Sequence, residues 1–271
     1  MEAPAKIRMF LTLHYDGSNF HGWQFQPDQR TVQGDLQLAL SQLADSPRTV
    51  IGSGRTDTGV HALGQVAAVD MPAHWTSSRL AKSLNAILPN DIWVASAQTA
   101  IPEFHPRYDA VARTYTYRVG LAAAAASPFH RGSCWALCQG VDLSLLNQAA
   151  QNVVGPHSFE SFAKAGQPER GYDCCVAAAV WSEWALGVQL DITADRYLHH
   201  MVRYLVGTMV DIARGRRPQL DMGSLLTGDE TITTSPPAPA CGLFLARVEY
   251  PPHVLLAEES PAPTSRSTAT A

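Results

Sequence analysis

Apolar residues in this chain recur in two periods that take turns along its length, and no other feature narrows the fold as much. Residues 6–15 alternate and are rich in apolar side chains, then end in Asp16-Gly17-Ser18-Asn19, which reads as a strand running into a loop. Over 31–43 the spacing becomes helical, with Leu36, Leu40 and Leu43 on one face and Thr31 placed as the cap. Residues 49–52 and 64–71 read as strands flanking a glycine-rich loop. A second helix spans 76–88, where Leu80, Leu84 and Leu88 fall four apart. Strands follow over 92–98 and over 110–120, where Tyr115, Tyr117 and Val119 alternate.

The second half repeats this grammar. A strand over 133–137 precedes a helix over 143–154, strands over 176–184 and 187–193, a long helix over 196–214 and a last strand over 243–250. The spacing is not the short regular one of a βαβ chain. The expected fold is therefore α+β: two similar halves whose antiparallel sheets join edge to edge into one central sheet, with helices packed on one face. The first half would be residues 1–120 and the second 121–250, with the alanine run 122–126 in the loop between them. Residues 251–271 turn to Pro, Ser, Thr, Ala and Glu and read as a disordered tail.

Composition excludes some classes of protein and leaves others open. No run of 18 apolar residues appears, residues 1–8 lack the apolar stretch of a signal peptide, and the five cysteines form no CxxC pair. The expectation is a cytoplasmic protein with no membrane association. A net charge of −4 is unusual for a nucleic-acid binder, but the whole excess lies in residues 218–271, with two basic and six acidic side chains. The preceding residues balance, and their cations are almost all arginine, the better partner for phosphate. Charge neither requires nor forbids an RNA substrate.

Chemistry concentrates in Gly52-Ser53-Gly54-Arg55-Thr56-Asp57-Thr58-Gly59-Val60-His61-Ala62. Three glycines let the backbone turn tightly and approach a large substrate, and between them sit one cation, one carboxylate and two threonine hydroxyls. On local chemistry alone Asp57 reads equally as a turn residue bonding its own loop. The loop is not a P-loop, since no Gly-Lys-Ser/Thr follows. His199 and His200 are adjacent in the expected long helix, so they should point to different faces and not share a metal. No metal site is expected.

The loop does not stand alone. Asp16-Gly-Ser-Asn-Phe-His-Gly-Trp-Gln24, Thr31-Val-Gln33, Asn85-Ala-Ile-Leu-Pro89 and Phe104-His105 occur in order with it. So do Ala112-Arg-Thr-Tyr-Thr-Tyr117, His199-His-Met-Val-Arg203 with Gly207, and Ala240-Cys-Gly-Leu243 with Val248 and Tyr250. Together these motifs resemble the tRNA pseudouridine synthase A family across about residues 6–250. Thr58, where alanine is common, and Cys241 depart from the pattern only by small side chains.

The resemblance implies a cofactor-free isomerisation of uridine to pseudouridine in the anticodon stem-loop of tRNA, at positions 38, 39 and 40. It also implies a homodimer. Asp57 would be the nucleophile, attacking C1′ of the ribose or C6 of the base. Arg203 would keep that carboxylate charged, because a desolvated carboxylate otherwise takes up a proton. Tyr115 would stack on the target base and help remove the C5 proton; alternation cannot separate it from Tyr117, and the motif register selects Tyr115. Leu243 would pack against the uracil. Arg55 would hold the flipped-out nucleotide or fill the stack it leaves. A non-catalytic RNA-binding protein of this fold would be expected to lack Asp57, Tyr115 or Arg203, and all three are present.

Overall fold

In a computed structural model, residues 5–164 and 171–256 are described. Their elements run β1 (Lys6–Tyr15), α1 (Val32–Leu43), β2 (Ile51–Gly52), β3 (His61–Pro72), α2 (Ser77–Ile87), β4 (Ile92–Ala100) and β5 (Ala112–Gly120). Next come β6 (Trp135–Ala136), α3 (Leu143–Asn152), β7 (Gly155–Ser158), β8 (Asp173–Trp184) and β9 (Gly187–Ala194). The chain then forms α4 (Met201–Ala213), α5 (Asp221–Leu226) and β10 (Leu243–Glu249). No helix among the described residues is long and apolar enough to cross a membrane.

All ten strands form one mixed sheet in the order β4-β1-β3-β10-β5-β9-β8-β7, with β2 on β3 and β6 on β5. At the centre β10 lies between β3 and β5, parallel to β3 and antiparallel to β5, so that β5 (residues 112–120) sits between two strands from the later part of the chain, β10 and β9. The α+β expectation of a single central sheet holds, with a parallel seam in place of a purely antiparallel one.

Cross-strand partners share a face of a sheet. One row therefore runs across the seam through Tyr15, Ala62, Leu245, Tyr115, Ile192 and Ala179. Leu36 and Leu40 of α1 and Leu80 and Leu84 of α2 bury against the first-half end of that row. Leu146 of α3 and Leu205, Val206 and Met209 of α4 bury against the second-half end. Helices thus cover one face in two groups. Each fully buried Leu or Met contributes about 1.5–3 kcal/mol, so these two cores hold the halves in place. Tyr115 packs partly against both cores and lies between them.

Three sequence expectations change. The helix expected over 196–214 begins only at Met201, because Tyr197 is pinned to the sheet: its hydroxyl donates to the Ile192 carbonyl at 2.8 Å. Asp195 Oδ1 also accepts from the Cys175 and Arg196 amides at 2.9 and 2.7 Å, which draws the chain off a helical path. Residues 251–256 are not tail: Val254 is buried, Leu255 bridges Ala100, and the Leu256 amide donates to the Thr99 carbonyl at 2.9 Å. The rest of the expected tail, 257–271, lies outside the described residues. The strand expected over 133–137 shrinks to β6, and β7 and α5 add to the expected set. All five cysteines are free.

Candidate active site

The loop between β2 and β3 is fixed from three sides. Gln65, wholly buried on β3, accepts from the Ser53 hydroxyl at 2.7 Å and donates to the Gly54 carbonyl at 3.0 Å. Tyr15 on β1 exchanges a 2.8 Å hydrogen bond with the Thr56 hydroxyl, and the Trp23 amide donates to the Thr56 carbonyl at 3.0 Å. Gly22 has φ +87°, and a Cβ there would sit 2.6 Å from the Thr56 oxygen. Only glycine lets the 16–24 loop lie this close beneath Asp57. Arg113 on β5 then ties this loop to the segment before α4, donating to the Ser53 and Asp195 carbonyls at 3.1 and 2.9 Å.

Asp57 is about one-quarter exposed and faces α4. Arg203 Nη1 lies 3.5 Å from Asp57 Oδ2, while its Nε donates to the Ala238 carbonyl at 2.7 Å. That second bond depends on Gly207 one turn along α4, where a Cβ would meet the Pro236 oxygen at 2.2 Å. Without a side chain at 207 the 235–238 segment can cross the helix and present Ala238 to Arg203. The guanidinium is largely buried and held on both sides, which suits it to neutralise a carboxylate.

Both histidines, expected on different helix faces, converge instead on Asp57. His199 Nε2 is 3.3 Å from Oδ1 and His200 Nε2 is 3.2 Å from Oδ2. They can do so because they precede the helix, with His200 in the left-handed region at φ 65°. Sequence reasoning missed them by applying 100° per residue to a segment that is not helical. Burial is the main cause that lowers the His200 pKa from its ordinary 6.5, and the nearby positive charge of Arg203 adds to it against the pull of Asp57. The neutral ring is therefore favoured at neutral pH.

The ligand atoms of Asp57, His199 and His200 lie within 4.8 Å of one another, close enough to surround a metal ion. The Arg203 guanidinium occupies the same carboxylate oxygen, however, and a dication would have to sit against that fixed positive charge. The arrangement suits an ion-paired carboxylate better than a metal centre.

Tyr115 and Tyr117 separate clearly. Tyr117 is fully buried and its hydroxyl donates to the Pro239 carbonyl at 2.8 Å, a structural role. The Tyr115 hydroxyl has no hydrogen-bond partner among the described residues, and its ring meets Tyr197 edge-on at 4.9 Å. Burial pushes its pKa up to about 12; Arg113 opposes the rise and the Asp57 charge adds to it. Leu243 opens β10 opposite Tyr117 and is 6 % exposed. Arg55 is exposed on the loop and donates from Nε to Gln24 Oε1 at 3.1 Å. It takes no part in the ion pairs around Asp57.

Comparison with known proteins gives a consistent match. The family described as tRNA pseudouridine synthase matches residues 12–109 and 149–251. A tRNA pseudouridine synthase A of Maridesulfovibrio salexigens is 38% identical over 245 residues, 90% of each chain. The enzyme of the same name from Moorella thermoacetica is 39% identical over 242 residues, 89% of this chain and 98% of that one. A third, from Syntrophomonas wolfei subsp. wolfei, is 36% identical over 246 residues, 90% of this chain and 98% of its own.

Proposed function

This chain belongs to the tRNA pseudouridine synthase family, and from that premise we propose that Asp57 is the nucleophile with which it isomerises uridine in tRNA. The reaction class is an intramolecular transfer: the base leaves ribose through N1 and returns through C5. Asp57 attacks C1′ or C6, the N1 glycosidic bond breaks, the uracil turns, C5 bonds to C1′, and the bond to Asp57 breaks to release the free carboxylate. The C5 proton leaves and a proton is gained at N1, so the atoms balance without a redox partner or cofactor.

The observation that carries this reading is the gathering of Arg203, His200 and His199 within 3.5 Å of one carboxylate. Such a cluster costs desolvation and serves no packing purpose. Arg203 offsets the carboxylate charge, Tyr115 faces the base from the sheet, and Leu243 supplies an apolar surface for the uracil. A uridine stacked in a stem reaches Asp57 only by leaving the helix, and the exposed Arg55 on the same loop is suited to fill the gap or grip its phosphate. The substrate uridines are those of the anticodon stem-loop at positions 38, 39 and 40, and the enzyme acts as a cytoplasmic homodimer in which one subunit grips the tRNA body while the other presents its active site.

Mapping pseudouridine in tRNA transcripts after incubation with the purified enzyme tests the substrate assignment. Modification confined to those three positions is expected. Modification elsewhere, with these untouched, contradicts the assignment while leaving the chemistry standing. A monomeric mass by light scattering at assay concentration contradicts the homodimer.

A further inference from the structure

Among the described residues, four other than glycine have positive φ (Asp28, Asp45, Cys138 and His200), and of these four His200 alone reaches the candidate nucleophile. Left-handed backbone is uncommon for residues with a Cβ, although asparagine, aspartate and histidine enter it more often than the rest and glycine enters it freely. His200 also caps no helix amide with its side chain, so the α4 N-terminus gains nothing from an imidazole. What the conformation does achieve is to set Nε2 3.2 Å from Asp57 Oδ2, with only 17 % of the ring exposed. Strained residues at functional sites persist where the geometry they enforce is used.

We propose that His200 is a positioning residue that, with Arg203, fixes Oδ2 of Asp57 and leaves Oδ1 as the attacking oxygen. The two oxygens are unlike. Oδ2 is approached by two largely buried groups, His200 and Arg203, whereas the neighbour of Oδ1 is His199, 55 % exposed and able to turn aside for substrate. A carboxylate held by one oxygen keeps the other aimed, and loss of aim is costly for a reacting group. The charged groups facing His200 are Asp57 from the loop, Arg203 from α4, its neighbour His199, and Lys164 from the segment after β7. Three of the four oppose a proton on its ring, which keeps it neutral under ordinary conditions. When acid does protonate it, a second full positive charge rests on the Asp57 carboxylate and weakens it as a nucleophile.

This inference rests on Asp57 being the nucleophile, and the test separates the two. Single-turnover tritium release from tRNA labelled at uracil C5 is measured for wild type, His200→Asn, His200→Gly and Asp57→Asn, with tRNA affinity and Tm for each. For both His200 variants the expected result is a Tm unchanged or raised, KM within about threefold, and a rate lowered about 100-fold. Wild type loses rate as pH falls below 6.5, and the asparagine variant lacks that decline. Wild-type rates in the His200 variants, with Asp57→Asn inactive, overturn the positioning role alone. A fall in Tm in both variants that accounts for the lost rate makes the ring structural and also overturns it. Activity in Asp57→Asn removes the nucleophile reading and this inference with it.

Discussion

Replacing Gln65 by leucine should loosen the loop that carries Asp57 without changing the volume at the centre of the first core. Gln65 is 0 % exposed, and its amide serves Ser53 Oγ at 2.7 Å, the Gly54 carbonyl at 3.0 Å and the Val66 amide at 3.1 Å. Leucine fills the space and strands all three. At about 1–3 kcal/mol for each buried polar group left unpaired, the loss is about 3–9 kcal/mol. For a chain of this size, at about 2–4 °C per kcal/mol, that lowers Tm by roughly 6 °C or more. The rate should fall about 10- to 100-fold with a smaller change in KM, because the loop still forms but no longer holds Asp57 in one place. Thermal melts and single-turnover kinetics of Gln65→Leu, Ser53→Ala and the double variant give the decisive comparison. In the double variant the stranded Ser53 hydroxyl is gone, so it should recover about 1–2 kcal/mol relative to additivity. Strictly additive losses, or a wild-type rate in Gln65→Leu, would refute the claim that this amide fixes the loop.

Three further outcomes are expected. Tyr115→Phe should keep Tm within about 1 °C, since the hydroxyl has no partner to lose, yet slow C5 tritium release; an unchanged rate removes the tyrosine hydroxyl from the chemistry. Gly22→Ala places a Cβ 2.6 Å from the Thr56 oxygen at φ +87° and should cost about 1–3 kcal/mol together with most of the activity, measured by melts and kinetics; a stable, active variant would mean the 16–24 loop can shift freely. His61 is buried against Phe244, and burial lowers its pKa from 6.5. The fold prefers its neutral form, so its contribution to stability is present above pH 6.5 and lost as pH falls below that. Tm should decline on acidification and decline less in His61→Asn; equal slopes exclude His61 as the cause.

What the sequence made legible was local. Thr31 announces α1 because its own hydroxyl accepts from the Gly34 amide at 3.2 Å, and the period-two pattern of β5 needs no distant partner to be read. What it hid was set by contacts far along the chain. Nothing in Arg196-Tyr-Leu-His-His200 forbids a helix; the tie from Tyr197 to β9 does. Val254, Leu255 and Leu256 are apolar within a tail-like composition, and they order because the edge strand β4 offers Thr99 and Ala100 for pairing. The insertion of β10 between β3 and β5 has no local signature at all. At the candidate site, Asp57, Tyr115, Arg203, Leu243 and Arg55 were proposed from motifs in order along the chain. Gln65 and the two histidines became visible only once the fold brought them to the loop.

The account stands most directly on Asp57. Pseudouridine formation on an anticodon stem-loop transcript should be undetectable with Asp57→Asn, while its Tm, circular dichroism and tRNA affinity stay near those of wild type, because asparagine keeps the shape and removes only the charged oxygen. Retained pseudouridine formation by that well-folded variant would contradict the assignment of Asp57 as the nucleophile.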